Sequence, residues 1–177
     1  MTVAPYPRSI EAEQFRRVMS GLAAGVAVVT TTDEHGEPRG LTTTAVTGVS
    51  LDPPLVLVCV GWDSRTLPAI RHSRRFAVNF VGASSVGLAA LFASKADDKF
   101  ERAHWRAGHG GAPILEHDAV AWLECRLLTE VEAGDHAVLI AHVEHGDAAG
   151  DRLPLTYFQR SYGTWAPHNA PDEESPA

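Results

Sequence analysis

Three short stretches of the chain carry side chains whose types and spacing suit chemistry better than packing. The first is Gly40-Leu41-Thr42-Thr43-Thr44-Ala45-Val46. Successive strand residues face opposite sides. Three consecutive threonines therefore place hydroxyls on both faces, and at least one must meet the interior or a ligand. Small hydroxyls beside backbone N–H groups form a wall suited to the edge of a planar heteroaromatic ring that bears carbonyls and ring nitrogens. An exposed, Thr-rich edge strand would carry the same letters. The second stretch, Ser64-Arg65-Thr66, lies where a strand gives way to a helix. Hydroxyls and N–H groups at a helix start hold phosphate, although a plain N-cap needs the same residues. The third is Gly134-Asp135-His136. A histidine beside an aspartate on a turn titrates or hydrogen-bonds near neutral pH, or it is an ordinary surface residue. Adjacent strand residues point apart, so no Asp–His pair is expected at Asp135 and His136.

Missing motifs narrow the chemistry. No GxGxxG follows the first strand, which argues against a Rossmann dinucleotide site. There is no Walker A sequence, and Gly82-Ala83-Ser84-Ser85-Val86-Gly87 does not fit the GxSxG elbow. Gly108-His109-Gly110-Gly111 resembles a lipase oxyanion loop, but no nucleophile accompanies it, so it reads as a flexible loop. His142 and His145 are three apart on an expected strand and would face opposite sides. His104, His109 and His117 lie in a loop without a patterned thiol or carboxylate, and no metal site is expected.

The elements that must position these residues follow from periodicity. Phe15, Val18, Met19 and Leu22 share one face of a helix over 9–22, with Ser9 as N-cap. Strands are expected over 25–32 and 55–60, with an extended segment over 37–51 that contains a bend or bulge. A short helix is expected over 64–73, with Pro68 in its first turn, then a strand over 75–81 and a helix over 84–92. One helical turn over 97–102 and a loop over 104–118 follow. Strands over 119–131 and 136–144 form a hairpin around Gly134, and 155–158 adds a last strand. Six or seven strands with short peripheral helices predict a mainly β fold, an antiparallel, Greek-key-like barrel.

The 177 residues suit one domain, expected over 9–166, between disordered ends at 1–8 and an acidic 167–177. A net charge of −7 without a basic block excludes nucleic acid as the main partner. The two cysteines cannot build a disulfide framework. No apolar run approaches the ~18–20 residues of a membrane span, and 1–9 does not read as a signal peptide. A cytoplasmic setting without membrane contact is expected.

Together the pieces resemble the short-chain flavin reductase family, the reductase components of two-component flavin-dependent monooxygenases. The resemblance runs from Phe15 to Trp165. It rests on Phe15-Arg16 with the Gly-Val-Ala-Val-Val-Thr-Thr strand, on 40–46, and on Ser50-Leu51-Asp52-Pro53-Pro54-Leu55-Val56. It continues through Phe76-Ala77-Val78-Asn79, Phe92-Ala93-Ser94-Lys95, Asp98-Lys99-Phe100, Gly134-Asp135-His136, and Pro154-Leu155 to Tyr162. The resemblance implies a split-barrel flavin-binding fold and a homodimer. It implies that Leu41, Thr42, Thr43, Thr44, Ala45 and Val46 line the isoalloxazine of FMN or FAD. Cys59, Val60 and Gly61 would lie near the flavin, Ser64 and Thr66 towards its phosphate, and Ser94, Lys99 and Phe100 would complete the site. His136, the candidate catalytic residue, would meet NADH or NADPH with Gln159, Arg160 and Tyr162, while Asn79 reads as structural. The implied activity is NAD(P)H-dependent reduction of flavin for a separate monooxygenase. A non-catalytic flavin- or haem-binding split barrel, or an enzyme of the same fold with permanently bound flavin, is the alternative.

Overall fold

The computed structural model of the chain describes residues 9–167. The ends expected to be disordered fall outside them, apart from Pro167. In chain order the elements are α1 (Ala12–Met19), β1 (Ala24–Gly25), β2 (Ala27–Thr32), β3 (Pro38–Thr43), β4 (Val46–Leu51) and β5 (Pro54–Gly61). Then come α2 (Thr66–Ser73), β6 (Arg75–Val81), a short 3-10 turn, α3 (Val86–Ala93), β7 (Arg106–Ala107) and β8 (Pro113–Ile114). The chain ends with β9 (Ala119–Ala133), β10 (His136–Ala148), β11 (Leu155–Phe158) and β12 (Ser161–Thr164).

Seven of these strands form one antiparallel sheet in the order β3-β2-β6-β9-β10-β5-β4. Its two edge strands, β3 and β4, are consecutive in the chain, and only Thr44 and Ala45 separate them. The sheet must therefore curl until its edges approach. The edges do not pair with each other, which leaves a seam, and this is a split barrel. At the seam Cys59 N–H donates to the Ala45 carbonyl at 3.0 Å. The β5-to-β6 connection crosses the barrel end through α2, whose Leu67 and Ile70 are buried there. Val29, Val58, Val60, Phe76, Val78 and Leu139 fill the interior. A second cluster, including Val28, Ala89, Phe92 and Leu155, packs α3 on the outside of β2. The small sheet β1-β11-β12 lies beside it.

Several elements differ from the expectation. The first helix starts at Ala12 with Glu11 at its N-cap, not at Ser9. Its first turn is tied by Glu13, which accepts from Arg16 at 3.1 Å and from Arg160 at 3.2 Å. Phe15, Val18, Met19 and Leu22 are all exposed. Residues 97–102 form turns and not a helix. Arg65 holds the Asp97 carboxylate and the Lys95 carbonyl, and the Lys99 ammonium turns inward to the Phe92 carbonyl at 3.0 Å. A helical turn would swing these groups away. The final β12 was not foreseen. The β11–β12 turn holds Gln159 and Arg160 at φ of 47° and 64°, a left-handed pair that costs roughly 1–2 kcal/mol per residue. Gln159 N–H donates to the Ser20 carbonyl at 2.9 Å, and Arg160 reaches Glu13. The end of α1 and this turn hold each other.

The 104–118 segment is not a free loop. It contains the β7–β8 pair and is pinned to the sheet by buried polar side chains. Asn79 donates to the Val28 carbonyl at 3.1 Å and accepts from Leu115 N–H at 2.8 Å, which makes it structural. Thr30 donates to the Pro113 carbonyl. Glu124, 3% exposed, accepts from His109 N–H at 3.1 Å and Gly110 N–H at 2.8 Å. A Cβ at Gly108 would sit 2.6 Å from the Glu124 carboxylate, so the glycines let the loop close over it. Burial pushes the Glu124 pKa up, but the N–H groups of Gly110 and His109 and the His109 ring outweigh it and hold the group below its ordinary 4.5. A depressed folded-state pKa adds stability above the unfolded value, and that stability is lost as pH falls through the folded one. Glu124→Gln is expected to cost about 1.5–3 kcal/mol at pH 7, with the gap to the unchanged chain closing below about pH 4.5. Denaturant melts at the two pH values measure both.

Candidate functional site

Two cavities meet along the seam. The first, of about 600 Å³, lies between β3, the start of α2 and the segment after α3. Leu41 and Thr42 form one wall, Asp63, Ser64, Arg65 and Thr66 another, and Phe92, Ser94, Lys95, Asp97, Lys99 and Phe100 the third. The second, of about 430 Å³, is lined by Thr42, Thr43, Thr44, Ala45, Cys59, His136, Tyr157 and Tyr162. Thr42 and Ala93 line both, so one elongated molecule can extend from one cavity into the other.

Their chemistries differ. The first cavity gathers four cations, Arg39, Arg65, Lys95 and Lys99, against Asp63 and Asp97. Arg39 is paired with Asp33 at 2.7 Å, and Arg65 spans the cavity from α2 to Asp97 at 2.5 Å. Ser64 accepts from Thr66 N–H at 3.2 Å, which shapes the start of α2. Burial pushes the Lys99 pKa down, and Arg65 pushes the same way. A cation crowded by another cation in a half-buried place is eased by an anion. The donor set therefore fits a phosphate, at a helix start as the sequence suggests.

The second cavity holds no lysine, arginine or carboxylate among its lining residues. Thr42 gives its hydroxyl to the Ala89 carbonyl at 2.7 Å, and the Thr43 hydroxyl accepts from Ala45 N–H at 3.0 Å. The first bond holds β3 against α3 and the second shapes the bend. The exposed Thr44 makes no side-chain hydrogen bond within the described residues, and its hydroxyl is left for a ligand. Burial pushes the Cys59 thiol up, so it stays protonated and is no nucleophile. Tyr157 and Tyr162 are register partners across β11–β12, with ring centres 5.3 Å apart.

His136 begins β10 opposite Gly61. A Cβ at Gly61 would come within 3.9 Å of His136 Nε2, so the imidazole lies over the glycine. Its Nδ1 is 2.7 Å from Asp135 Oδ1. The pair that strand alternation does not lead one to expect therefore forms, because Asp135 belongs to the turn and the alternation does not extend to it. The His136 hydrogen bond and charge hold the Asp135 pKa below its ordinary value. An ionised Asp135 can only accept, so His136 Nδ1 donates to it and Nε2 is the ring atom left to face a ligand.

The cavities bring together Leu41, Thr42, Thr43, Thr44, Ala45, Cys59, Ser64, Thr66, Ser94, Lys99, Phe100, His136 and Tyr162 of the residues singled out from the sequence. Val46, Val60, Gly61, Gln159 and Arg160 line neither cavity. Val60 points into the barrel core, and Gln159 and Arg160 occupy the turn held by α1. Sequence reasoning assigned no site role to Arg39, Arg65, Lys95, Asp97 or Tyr157. Arg65 stood between the two hydroxyls already marked, and Tyr157 flanks the same short turn as Tyr162. The others come together only through the fold. Among the described residues no group of three His, Cys, Asp or Glu side chains is placed to hold a metal ion.

A split barrel whose seam joins a cationic cavity to a hydroxyl-lined one is the architecture of a flavin-handling protein. The chain belongs to the family of the flavin reductase like domain, whose model matches residues 19–166. It is 40% identical over 172 residues to a flavin reductase (NADH) of Kitasatospora aureofaciens, covering 96% of this chain and 87% of that one. It is 35% identical to the reductase component of a 4-nitrophenol 4-monooxygenase/4-nitrocatechol 2-monooxygenase of Rhodococcus opacus, covering 90% and 84%. The structure of the NADH:FAD oxidoreductase of Streptomyces globisporus C-1027, solved with NAD and FAD fragments, superposes with a TM-score of 0.84 at 33% identity over 93% of this chain and all of that one. No helix among the described residues is long and apolar enough to cross a membrane.

Thr44→Val tests the second cavity. Its hydroxyl serves no internal bond, so its loss is expected to weaken flavin binding several-fold, about 0.5–1.5 kcal/mol, and to leave the melting temperature unchanged. Thr42→Val, which frees the buried Ala89 carbonyl, is expected to lower the melting temperature as well. Fluorescence titration with FMN and FAD beside thermal melts separates the two.

Proposed function

We propose that the chain is an NAD(P)H:flavin oxidoreductase that reduces FMN or FAD and hands the reduced flavin to a separate oxygenase. The observation that carries this reading is the shared wall at Thr42 and Ala93 between a cationic cavity and a neutral one that ends at His136 and the two tyrosines. The flavin phosphate fits among Ser64, Arg65, Thr66 and Lys99, and the ring fits along Thr43, Thr44 and Ala45.

When bound, the flavin supplies the chemistry by accepting at N5 a hydride from C4 of the reduced nicotinamide. The protein's own residues provide position. Arg65 and Lys99 hold the anionic end, and the Thr44 hydroxyl offers a donor to the polar ring edge. The tyrosine pair gives a flat wall that excludes water. His136, held through Nδ1 by Asp135, presents Nε2 at the cavity rim as a hydrogen-bonding partner for a nicotinamide carboxamide. A hydride moves with its electron pair, so the step needs no general base, and the second cavity lines none with a carboxylate. A protein that only stores flavin has no use for a histidine fixed by Asp135 at the cavity rim.

We infer that a second copy covers the outer face of β5 and β10. Leu55, Leu57 and Cys59 alternate outward on β5 beside His142, Ile140 and Val138 of β10. Val131 and Val49 extend the same apolar face while 47% and 49% exposed. His142 Nδ1 is buried on it with no partner among the described residues. Cys59 belongs to both this face and the second cavity, so the flavin ring would lie beside the partner. Both cysteines are free, in keeping with a reducing, cytoplasmic setting.

Two outcomes are expected. His136→Ala lowers kcat/KM for the nicotinamide substrate by about tenfold or more, about 1.4 kcal/mol, and leaves oxidised-flavin affinity nearly unchanged. Steady-state assays with both flavins and both nicotinamides measure this, and equal losses in flavin affinity would move His136 to the flavin site. Light scattering at micromolar concentration gives a particle of two 19.0 kDa chains, and a single-chain mass would overturn the dimer.

A further inference from the structure

Trp62 follows the last residue of β5, lines neither cavity, and is 37% exposed. An aromatic ring of that size at a rim normally covers apolar surface. Here its polar atoms are committed to a single place. Its backbone N–H donates to the Asp135 carbonyl at 3.1 Å. Its indole Nε1–H donates to the Gly134 carbonyl at 3.1 Å. One residue thus takes up the carbonyls of both residues in the turn that presents His136.

The ring is itself held. The Arg71 guanidinium lies over it, 5.0 Å from the ring centroid. Arg71 in turn is fixed by Glu130 of β9, with Nε 3.1 Å and 3.2 Å from the two carboxylate oxygens and a further bond from Nη2. A cation over an aromatic face is attracted to it, and a guanidinium held in a fork is not free to leave. The chain of contact therefore runs from Glu130 through Arg71 and Trp62 to the Gly134–Asp135 turn. The turn has only two residues, with Gly134 at φ 60°, so fixing both carbonyls fixes the peptide plane from which His136 departs. The next residues, Asp63 to Thr66, wall the first cavity.

We propose that Trp62 is a positioning residue for His136, holding the imidazole at the cavity rim through the Gly134 and Asp135 carbonyls. This rests on the reading of His136 as a nicotinamide contact. Trp62 acts through the turn, so its removal disorders the approach of the nicotinamide and leaves the phosphate and ring sites of the flavin intact.

The test is a double-mutant cycle on the full-length protein with NADH as the varied substrate. Trp62→Phe keeps a ring under Arg71 and removes the indole donor. It is expected to raise KM for NADH by about three- to tenfold, with kcat and flavin affinity within twofold. In a His136→Ala background the same change is expected to have no further effect, because a residue acting through another is non-additive with it. If His136→Ala alone leaves kcat/KM for NADH unchanged, the nicotinamide reading fails. If His136→Ala raises KM but Trp62→Phe does not, or if the two effects add, the Trp62 assignment alone is overturned. Arg71→Met, which withdraws the guanidinium from the ring, gives an independent reading should Trp62→Phe not fold. A smaller rise in the same KM supports the assignment, and no rise overturns it.

Discussion

The rest of the molecule depends on a closure constraint. β3 and β4 stand at opposite edges of a seven-stranded sheet, yet two residues join them. A two-residue link between consecutive Cα atoms about 3.8 Å apart cannot span a flat sheet whose strands lie about 4.8 Å apart. Curling is therefore obligatory, and it brings the bend at Thr44 and Ala45 against β5. The strands there carry small hydroxyls and backbone groups, and both cavities open along that line. The proposed ligand site is the place where the barrel fails to close.

Charge is distributed to match. The chain as a whole is acidic, at −7, yet four of its fifteen lysines and arginines gather round the first cavity. Arg39 is held by Asp33 and Arg65 by Asp97, and Lys99 sits half-buried against the Phe92 ring. The second cavity, lined by no lysine, arginine or carboxylate, suits a flat neutral ring system. One seam thus joins two places of different character, as the proposed flavin site requires.

Much of this was legible in the sequence, for identifiable reasons. Runs such as Ala27–Thr32 and Leu55–Val60 are strands from either viewpoint, because β-branched residues and the bounding turns agree. The threonine run and the serine and threonine around Arg65 mark the cavities because their hydroxyls have few structural uses. What stayed hidden depends on distance in space. Glu124 reads as one polar residue in a strand until the glycine loop is seen folded over it. The helix at 12–19 has the periodicity of a packed helix and buries nothing within its own chain. Strand alternation gives no Asp135–His136 pair because it ends one residue too soon, and the contact of the Arg160 guanidinium with Glu13 joins residues 147 positions apart.

That last contact has a practical bearing. The first helix contributes no buried side chain, yet it keeps the β11–β12 turn in a backbone state that two non-glycine residues disfavour. Tyr157 and Tyr162 lie directly beneath that turn and wall the second cavity. The exposed first helix is thus mechanically joined to the wall of the second cavity through Glu13 and Ser20, and a change to its surface carries over to that wall.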